Sequence, residues 1–378
     1  MKYFVTGGLG FIGSNLSKRL LNEGHKVTII DSLSDQIHGE DAIDLVDDFK
    51  MLGAKVIIDD VLNCALYEAD ILDAECIIHL AAETGTSQSM YQMKKYVETN
   101  CVGTAALFDI LINNRDKRSL KNFILASSRS IYGEGAYSCP NHGISYPESR
   151  VVADLSNQVW GFSCKSCGSP LDSIATDEYS RINSLSLYAH TKFAQEDIVR
   201  IGANAIGTNY KLLRFQNVYG AGQSLKNPYT GILSIFANRL KQNIDLPLFE
   251  DGEMARDFVY ITDVVNGICL ASRNLDSDHN ILNIGSGVPS KISDVVRELI
   301  DFDPSSTSSC YISAEYRVGD IRSCFADISL AKRVLSYQPK VSLNEGLAKF
   351  MEWAIKQDVY KDGLSGANKE LKDRGLMK

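Results

Sequence analysis

Thr6-Gly7-Gly8-Leu9-Gly10-Phe11-Ile12-Gly13 decides the reading of this chain. The stretch follows a short apolar run, Tyr3-Phe4-Val5, and opens an amphipathic segment, so the glycines at 7, 10 and 13 fall at a strand-to-helix turn. Gly7 permits the tight turn, Gly10 lets the backbone approach a pyrophosphate, and Gly13 lets helix and strand pack closely. Phe11 and Ile12 sit where the first free N–H groups of the helix would face the anion. A glycine-rich turn without a ligand is the alternative, and the surroundings count against it. Asp31 closes the second apolar run eighteen residues after Gly13. A carboxylate there can accept from the adenosine ribose hydroxyls and repels a 2′-phosphate, which favours NAD over NADP. Asp60, with Val61 after it, follows the third run and could hold the adenine amino group; a solvated loop aspartate beside Asp59 is the alternative.

Outward from this turn, the first 130 residues alternate short apolar runs with longer amphipathic ones, the pattern of β-α units on a parallel sheet. Strands are expected at Tyr3 to Thr6, Lys26 to Ile30, Lys55 to Ile58, Cys76 to Leu80 and Asn122 to Ala126, with Lys211 to Phe215 extending the sheet. Helical periodicity runs from about Met90 to Asn113 and from Tyr188 to about Ala203. The expected fold is α/β: a doubly wound Rossmann sheet with a smaller mixed α/β substrate lobe towards the C-terminus. Residues 1–135 and 181–220, with a returning segment near 255–275, would form the dinucleotide domain, and 221–357 the lobe, including a short strand at Ile281 to Ile284. Residues 136–180 form a cysteine-rich insertion. Residues 358–378 are polar and expected to fray.

The chain has 378 residues, 44% hydrophobic and 23% charged, with 39 Lys and Arg against 47 Asp and Glu, a net charge of −8. That balance gives no electrostatic reason to bind nucleic acid or an anionic membrane. No stretch reaches the roughly 18 apolar residues of a transmembrane helix, and no export signal is visible, so a cytoplasmic protein is expected.

Tyr188-Ala189-His190-Thr191-Lys192 begins a helix and places a phenol and an ammonium one turn apart on one face. A tyrosine is a weak base at its ordinary pKa near 10, and a neighbouring cation stabilises its phenolate. A surface aromatic-plus-lysine pair is the alternative. Against it stands Ala126-Ser127-Ser128-Arg129-Ser130, at the edge of the sheet where ligands of open α/β folds bind, with a hydroxyl available to orient a reacting oxygen.

TGGLGFIG, IIHLAAE, TNCVGT, SSRSIYG, YAHTK, LRFQNVYG, RDFVY and RVGDIRS follow one another in the order and spacing of the extended short-chain dehydrogenase/reductase family. Over about residues 1 to 355, apart from the insertion, the chain resembles its nucleotide-sugar epimerases of the UDP-glucose 4-epimerase type. The resemblance implies Ser128, Tyr188 and Lys192 as the catalytic set, with Lys192 also holding the nicotinamide ribose. It implies Leu80, Ala81 and Ala82 as lining for NAD and Asn100 as ordering it. It implies Asn217, Arg256, Arg317 and Asp320 as contacts to the substrate's diphosphate and ribose, a role suited to guanidinium groups; surface ion pairs are the alternative. It also implies a homodimer through the helices near 90 to 114 and 188 to 203. The family's dehydratases carry an Asp-Glu pair after the residue corresponding to Ser128. Arg129 and Ser130 stand there, which disfavours elimination and decarboxylation and leaves reversible oxidation at a sugar carbon.

Cys139-Pro140-Asn141-His142 and Cys164-Lys165-Ser166-Cys167 form a C-x2-H and a C-x2-C pair, with Gly143 and Gly168 after the second donors. The spacing suits a four-ligand structural zinc site; a redox C-x2-C or unbound thiols remain open. Between Cys139 and Glu178 two basic residues face five acidic ones, which argues against a nucleic-acid-reading ribbon. The insertion is expected above the substrate mouth. With Gly222 to Phe236, it also resembles the branch of bacterial dTDP-L-rhamnose 4-epimerases. A dehydrogenase or 4-keto reductase that releases its cofactor is the second enzymatic reading, and a non-catalytic NAD-sensing scaffold the third.

Overall fold

The computed structural model describes residues 1–39, 42–229, 231–275, 278–303 and 306–378, so Thr230, inside the Gly222 to Phe236 stretch, lies outside the described residues. Among the described residues, seven parallel strands form one sheet. Their spatial order is Ile281–Ile284, Asn209–Phe215, Asn122–Ser128, Cys76–His79, Lys2–Thr6, Lys26–Asp31 and Lys55–Ile58. The chain winds from Lys2–Thr6 outward to Lys55–Ile58, then crosses back to Cys76–His79 on the other side. The winding direction therefore reverses between Lys2–Thr6 and Cys76–His79, and a crevice opens at the carboxyl ends of those strands.

Both faces of the sheet are covered, which is why its strands are continuously apolar. Tyr3, Val5, Ile29, Cys76, Ile78 and Ile124 face a core shared with Leu16 and Leu20 of the helix Phe11–Asn22 and with the smaller lobe. Phe4, Ile30, Ile77, Phe123 and Leu125 face the opposite layer, where Leu107, Leu111 and Val199 pack from the helices Gly103–Asn113 and Leu187–Ile206. The alternation of neighbours between layers is the period of two of a strand.

Three expectations need correction. The strand Ile281–Ile284, placed by its position with the smaller lobe, joins the edge of the main sheet in register with Leu212–Phe215. The pattern from Met90 to Asn113 is interrupted: short helices at Thr86–Ser89 and Met93–Tyr96 lead into a widened π-type stretch, Val97–Val102, before the regular helix. There Thr104 Oγ1 donates to the carbonyl of Asn100 at 2.6 Å, and the Asn100 side chain is drawn to Glu83. The polar tail does not fray. Leu364–Asp373 is a helix whose Leu364, Ala367 and Leu371 make a narrow buried stripe, and Met377 is buried after it. Spacings of three and four residues hide such a stripe in a polar composition.

The returning segment expected near 255–275 divides: Ala255–Tyr260 is the centre of the smaller lobe, flanked by Asn217–Tyr219 and Ser323–Cys324 in parallel and Pro289–Lys291 in antiparallel pairing, and the helix Ile261–Arg273 packs on the main sheet. The insertion forms a separate antiparallel sheet from Gly143–Ser145, Tyr137–Cys139 and Asp172–Ser173. Among the described residues, no helix is long and apolar enough to cross a membrane.

Candidate active site

A cleft of about 870 Å³ runs from the glycine turn at one end to Arg256 and Arg317 at the other. Gly7 has φ +64°, and a Cβ on it would lie 2.8 Å from the backbone nitrogen of Ala81, at the point where the winding reverses. A Cβ on Gly13 would lie 2.1 Å from the carbonyl oxygen of Gly7. Gly10, Phe11, Ile12, Asp60, Val61, Leu80, Ala81 and Ala82 line this half of the cleft.

Asp31 Oδ2 accepts from the backbone of Leu9 at 3.0 Å, and Oδ1 accepts from Leu33 at 3.0 Å and faces His38 Nε2 at 3.2 Å. Burial alone would raise its pKa. The His38 and backbone donors outweigh that and hold the carboxyl below its ordinary range. The imidazole of His38 is a site residue that the sequence reading missed, because nothing in the loop pattern folds it back onto Asp31. Asp60 caps the turn Val61–Tyr67 by accepting from Leu62 N at 2.9 Å. Asn100 is buried and does not touch the cleft. It brackets Glu83 through both amide atoms, at 2.8 and 3.1 Å, and donates to Thr191 Oγ1 at 2.9 Å, tying the Leu80 to Glu83 loop to the Tyr188 helix.

Ser128, Tyr188 and Lys192 meet midway along the cleft. Ser128 ends its strand, and its Oγ lies 2.8 Å from Ser130 Oγ. Tyr188 stands in the first turn of Leu187–Ile206, whose N-cap Ser186 accepts from Ala189 N at 3.2 Å. Lys192, one turn on, donates to the carbonyl of Ala126 at 3.0 Å. Burial raises the Tyr188 pKa, while hydrogen bonding with Ser128 and the charge of Arg129 act against it. Burial lowers the Lys192 pKa to about 7. Arg129, read from the sequence only as an absent acid, lines the cleft beside this group. Burial lowers its pKa, the nearby Arg256 adding to the effect.

At the far end Arg256 donates to the carbonyls of Ala255, Arg322 and Ile321 and to Asp320 Oδ1 at 3.2 Å. Burial would raise the Asp320 pKa, but Arg256, Arg317 and Arg150 hold it below the ordinary carboxylate range. Arg317 lies over the Phe249 ring at 4.7 Å. Between the two ends, Gln216, Asn217, Gln223 and Ser224 present buried polar atoms with no partner, as does Arg317 Nε. Such atoms are costly unless a polar ligand satisfies them, so this half is shaped for a ligand rich in hydroxyl and phosphate groups.

The insertion contributes nothing to the cleft wall: among the described residues, none between 133 and 187 lines it. It braces the Tyr316–Cys324 segment instead, with Arg150 donating to Asp320 O at 2.8 Å and to Glu250 Oε2 at 2.7 Å. Its four donors converge: Cys139 Sγ lies 3.5 Å from His142 Nδ1 and 3.6 Å from Cys167 Sγ, Cys164 Sγ lies 3.6 Å from His142 Nδ1, and all four fall within 4.8 Å of one another.

A dinucleotide-binding crevice at a reversal of winding, with serine, tyrosine and lysine over it, defines an oxidoreductase-type site on a Rossmann sheet. Residues 3–285 match the NAD dependent epimerase/dehydratase family, and the chain belongs to that family. It is 34% identical over 358 residues to a dTDP-L-rhamnose 4-epimerase of Burkholderia thailandensis, covering 94% of this chain and 95% of that protein. Among solved structures it resembles a UDP-glucuronic acid 4-epimerase from Bacillus cereus, solved with UDP-glucuronic acid and NAD. The TM-score is 0.74 and the identity 26%, over 94% of this chain and 99% of that one. A UDP-N-acetylglucosamine 4-epimerase from Methanobrevibacter ruminantium matches with a TM-score of 0.74 and 25% identity, over 94% and 99%. The chain is accordingly an NAD-dependent enzyme of the sugar-nucleotide epimerase class.

Proposed function

We propose that the chain is a nucleotide-sugar 4-epimerase whose substrate is dTDP-L-rhamnose, acting in the cytoplasm in polysaccharide or glycoside assembly. The observation that carries the reaction is the meeting of Ser128, Tyr188 and Lys192 between a dinucleotide half and an arginine-bearing half of one cleft. The preference for dTDP-L-rhamnose rests on the Burkholderia relative, similar over nearly its whole length. Bound NAD supplies a hydride acceptor at the sugar carbon and later the hydride that is returned to the other face of the 4-keto sugar. Tyr188 Oη takes the proton of the C4 hydroxyl and gives it back after the sugar turns over. Ser128 Oγ holds the reacting oxygen, and Lys192 steadies the nicotinamide ribose and favours the phenolate. Arg256, Arg317 and Asn217 hold the diphosphate end.

Cys139, His142, Cys164 and Cys167 would hold a structural zinc. Tetrahedral bonds of about 2.3 Å to sulfur and 2.0–2.1 Å to nitrogen give ligand separations of about 3.8 and 3.5 Å, close to the spacing of these donors. Four protein ligands leave no open position for catalysis, so the metal would close the insertion and not join the reaction. A homodimer through the helices near 90 to 114 and 188 to 203 is supported by Met93, Val97, Val102, Ile112 and Ile201, which are exposed on them.

The test is proton NMR of the purified enzyme with dTDP-L-rhamnose, UDP-glucose, UDP-N-acetylglucosamine or UDP-glucuronate, alongside absorbance of NADH. A new isomer of dTDP-L-rhamnose without accumulating NADH supports the reading. Conversion of another sugar instead overturns the substrate, and NADH accumulating with a keto or acid product overturns the reaction.

A further inference from the structure

The last seventeen residues lie against Arg317, at the far end of the cleft. The Arg256 guanidinium commits Nη1 and Nη2 to three carbonyls and Asp320. Arg317 keeps a buried Nε with no partner, and among the described residues its one side-chain hydrogen bond runs from Nη2 to Asn368 Oδ1, at 3.0 Å. Asn368 belongs to the helix Leu364–Asp373.

That helix is fastened on every side. Backbone bonds join Tyr316 and Lys378 in both directions, at 2.9 and 3.0 Å, and Val318 N donates to Leu376 O at 3.0 Å, so the chain is clamped on either side of Arg317. Glu370 Oε2 accepts from Tyr229 at 2.6 Å and from Tyr91 at 3.1 Å, and the Arg374 guanidinium covers the Tyr91 ring at 4.3 Å. Tyr91 lies in the dinucleotide domain, while Tyr229 and Leu364 line the cleft. Asp362 pairs with Arg239 of the smaller lobe at 2.8 Å.

We propose that residues 362–378 form a strap across the cleft that positions Arg317 for the diphosphate of the nucleotide sugar, with Asn368 as the residue that orients its guanidinium. The proposal rests on the reading of Arg317 as a diphosphate contact. An arginine has many rotamers, and fixing one before the ligand arrives removes an entropic cost from binding. Asn368 is a positioning residue that touches neither sugar nor cofactor.

The test uses the full-length, NAD-loaded chain and calorimetric titration with UDP and with dTDP. Asn368→Ala should weaken the diphosphate that binds by roughly tenfold, the scale of one hydrogen bond to a charged group. NAD affinity and melting temperature should stay unchanged, and Asn368→Gln, which keeps the acceptor, should recover most of the loss. Unchanged diphosphate affinity in Asn368→Ala overturns the proposal, as does a loss shared equally with NAD or left unrecovered by Gln. A chain that epimerises no sugar but whose diphosphate affinity still follows residue 368 refutes the proposed reaction and supports the strap. A chain that binds neither UDP nor dTDP overturns both.

Discussion

Lys192 Nζ donates to the carbonyl oxygen of Ala126 at 3.0 Å, two residues before Ser128 on the same strand. The bond fixes the ammonium beside the strand end that carries Ser128 and leaves it buried, with its pKa lowered to about 7 from the ordinary 10.5. Between those values the unfolded chain binds more protons than the folded one, so this group makes stability rise with pH through that window, and its full penalty is felt below pH 7. Replacing it by Met should therefore help the cofactor-free protein more at pH 6 than at pH 9, by at least about 1 kcal/mol. Urea denaturation of both proteins at the two pH values measures the difference; an equal effect at both would show that Lys192 is not desolvated.

Tyr188→Phe should lower kcat by roughly 10²–10⁴ while leaving NAD bound, since it removes only the proton-transferring group. Arg129→Met should move the acid limb of the kcat profile to higher pH, because the Arg129 cation opposes the rise that burial imposes on the phenol. Arg129→Lys should restore part of it. A profile unmoved by Met would remove Arg129 from the electrostatics of the base.

Arg150 is 3% exposed and faces Glu134 and Glu250, which are 0% and 1% exposed. Arg150→Met leaves the buried Glu134 without its ion pair and Glu250 with Arg322 alone, at 3.2 Å, and should cost about 3–5 kcal/mol, since breaking one side of a buried pair strands the other. Adding Glu134→Gln should recover part of that in equilibrium unfolding.

Gly13→Ala should abolish NAD binding, because a methyl group cannot sit 2.1 Å from the Gly7 carbonyl without moving the turn that faces the pyrophosphate. Equilibrium dialysis with NAD checks it, with circular dichroism to confirm folding.

Purified protein should carry one zinc per chain by metal analysis, and Cys164→Ser should lower both the zinc content and the melting temperature. Zinc far below one per chain, or an unchanged melting temperature, would refute the structural metal.

What was legible in the sequence was local. The turn from Thr6 to Gly13, the strand ends at Asp31 and Ser128 and the helix start at Tyr188 each follow from spacing a few residues long, and the structure gathers them in one cleft. What was not legible depends on partners distant in the chain. Leu364, Ala367 and Leu371 look isolated until the surface they cover is known. Ile281–Ile284 is a strand by composition, but its place beside Asn209–Phe215 depends on how the chain returns from the smaller lobe. His38 reaches Asp31 only through the shape of its loop, and the insertion was expected at the substrate mouth because chain order places it between Ser128 and Tyr188, whereas its arginine anchors a segment 170 residues further on.

In the proposed reaction a hydride leaves the sugar and returns to it without entering water. Running the epimerisation of dTDP-L-rhamnose in D₂O and reading the product by proton NMR and mass spectrometry tests this directly. The account predicts an epimer that carries protium at the inverted C4. Deuterium at that carbon would mean exchange with solvent and would contradict it.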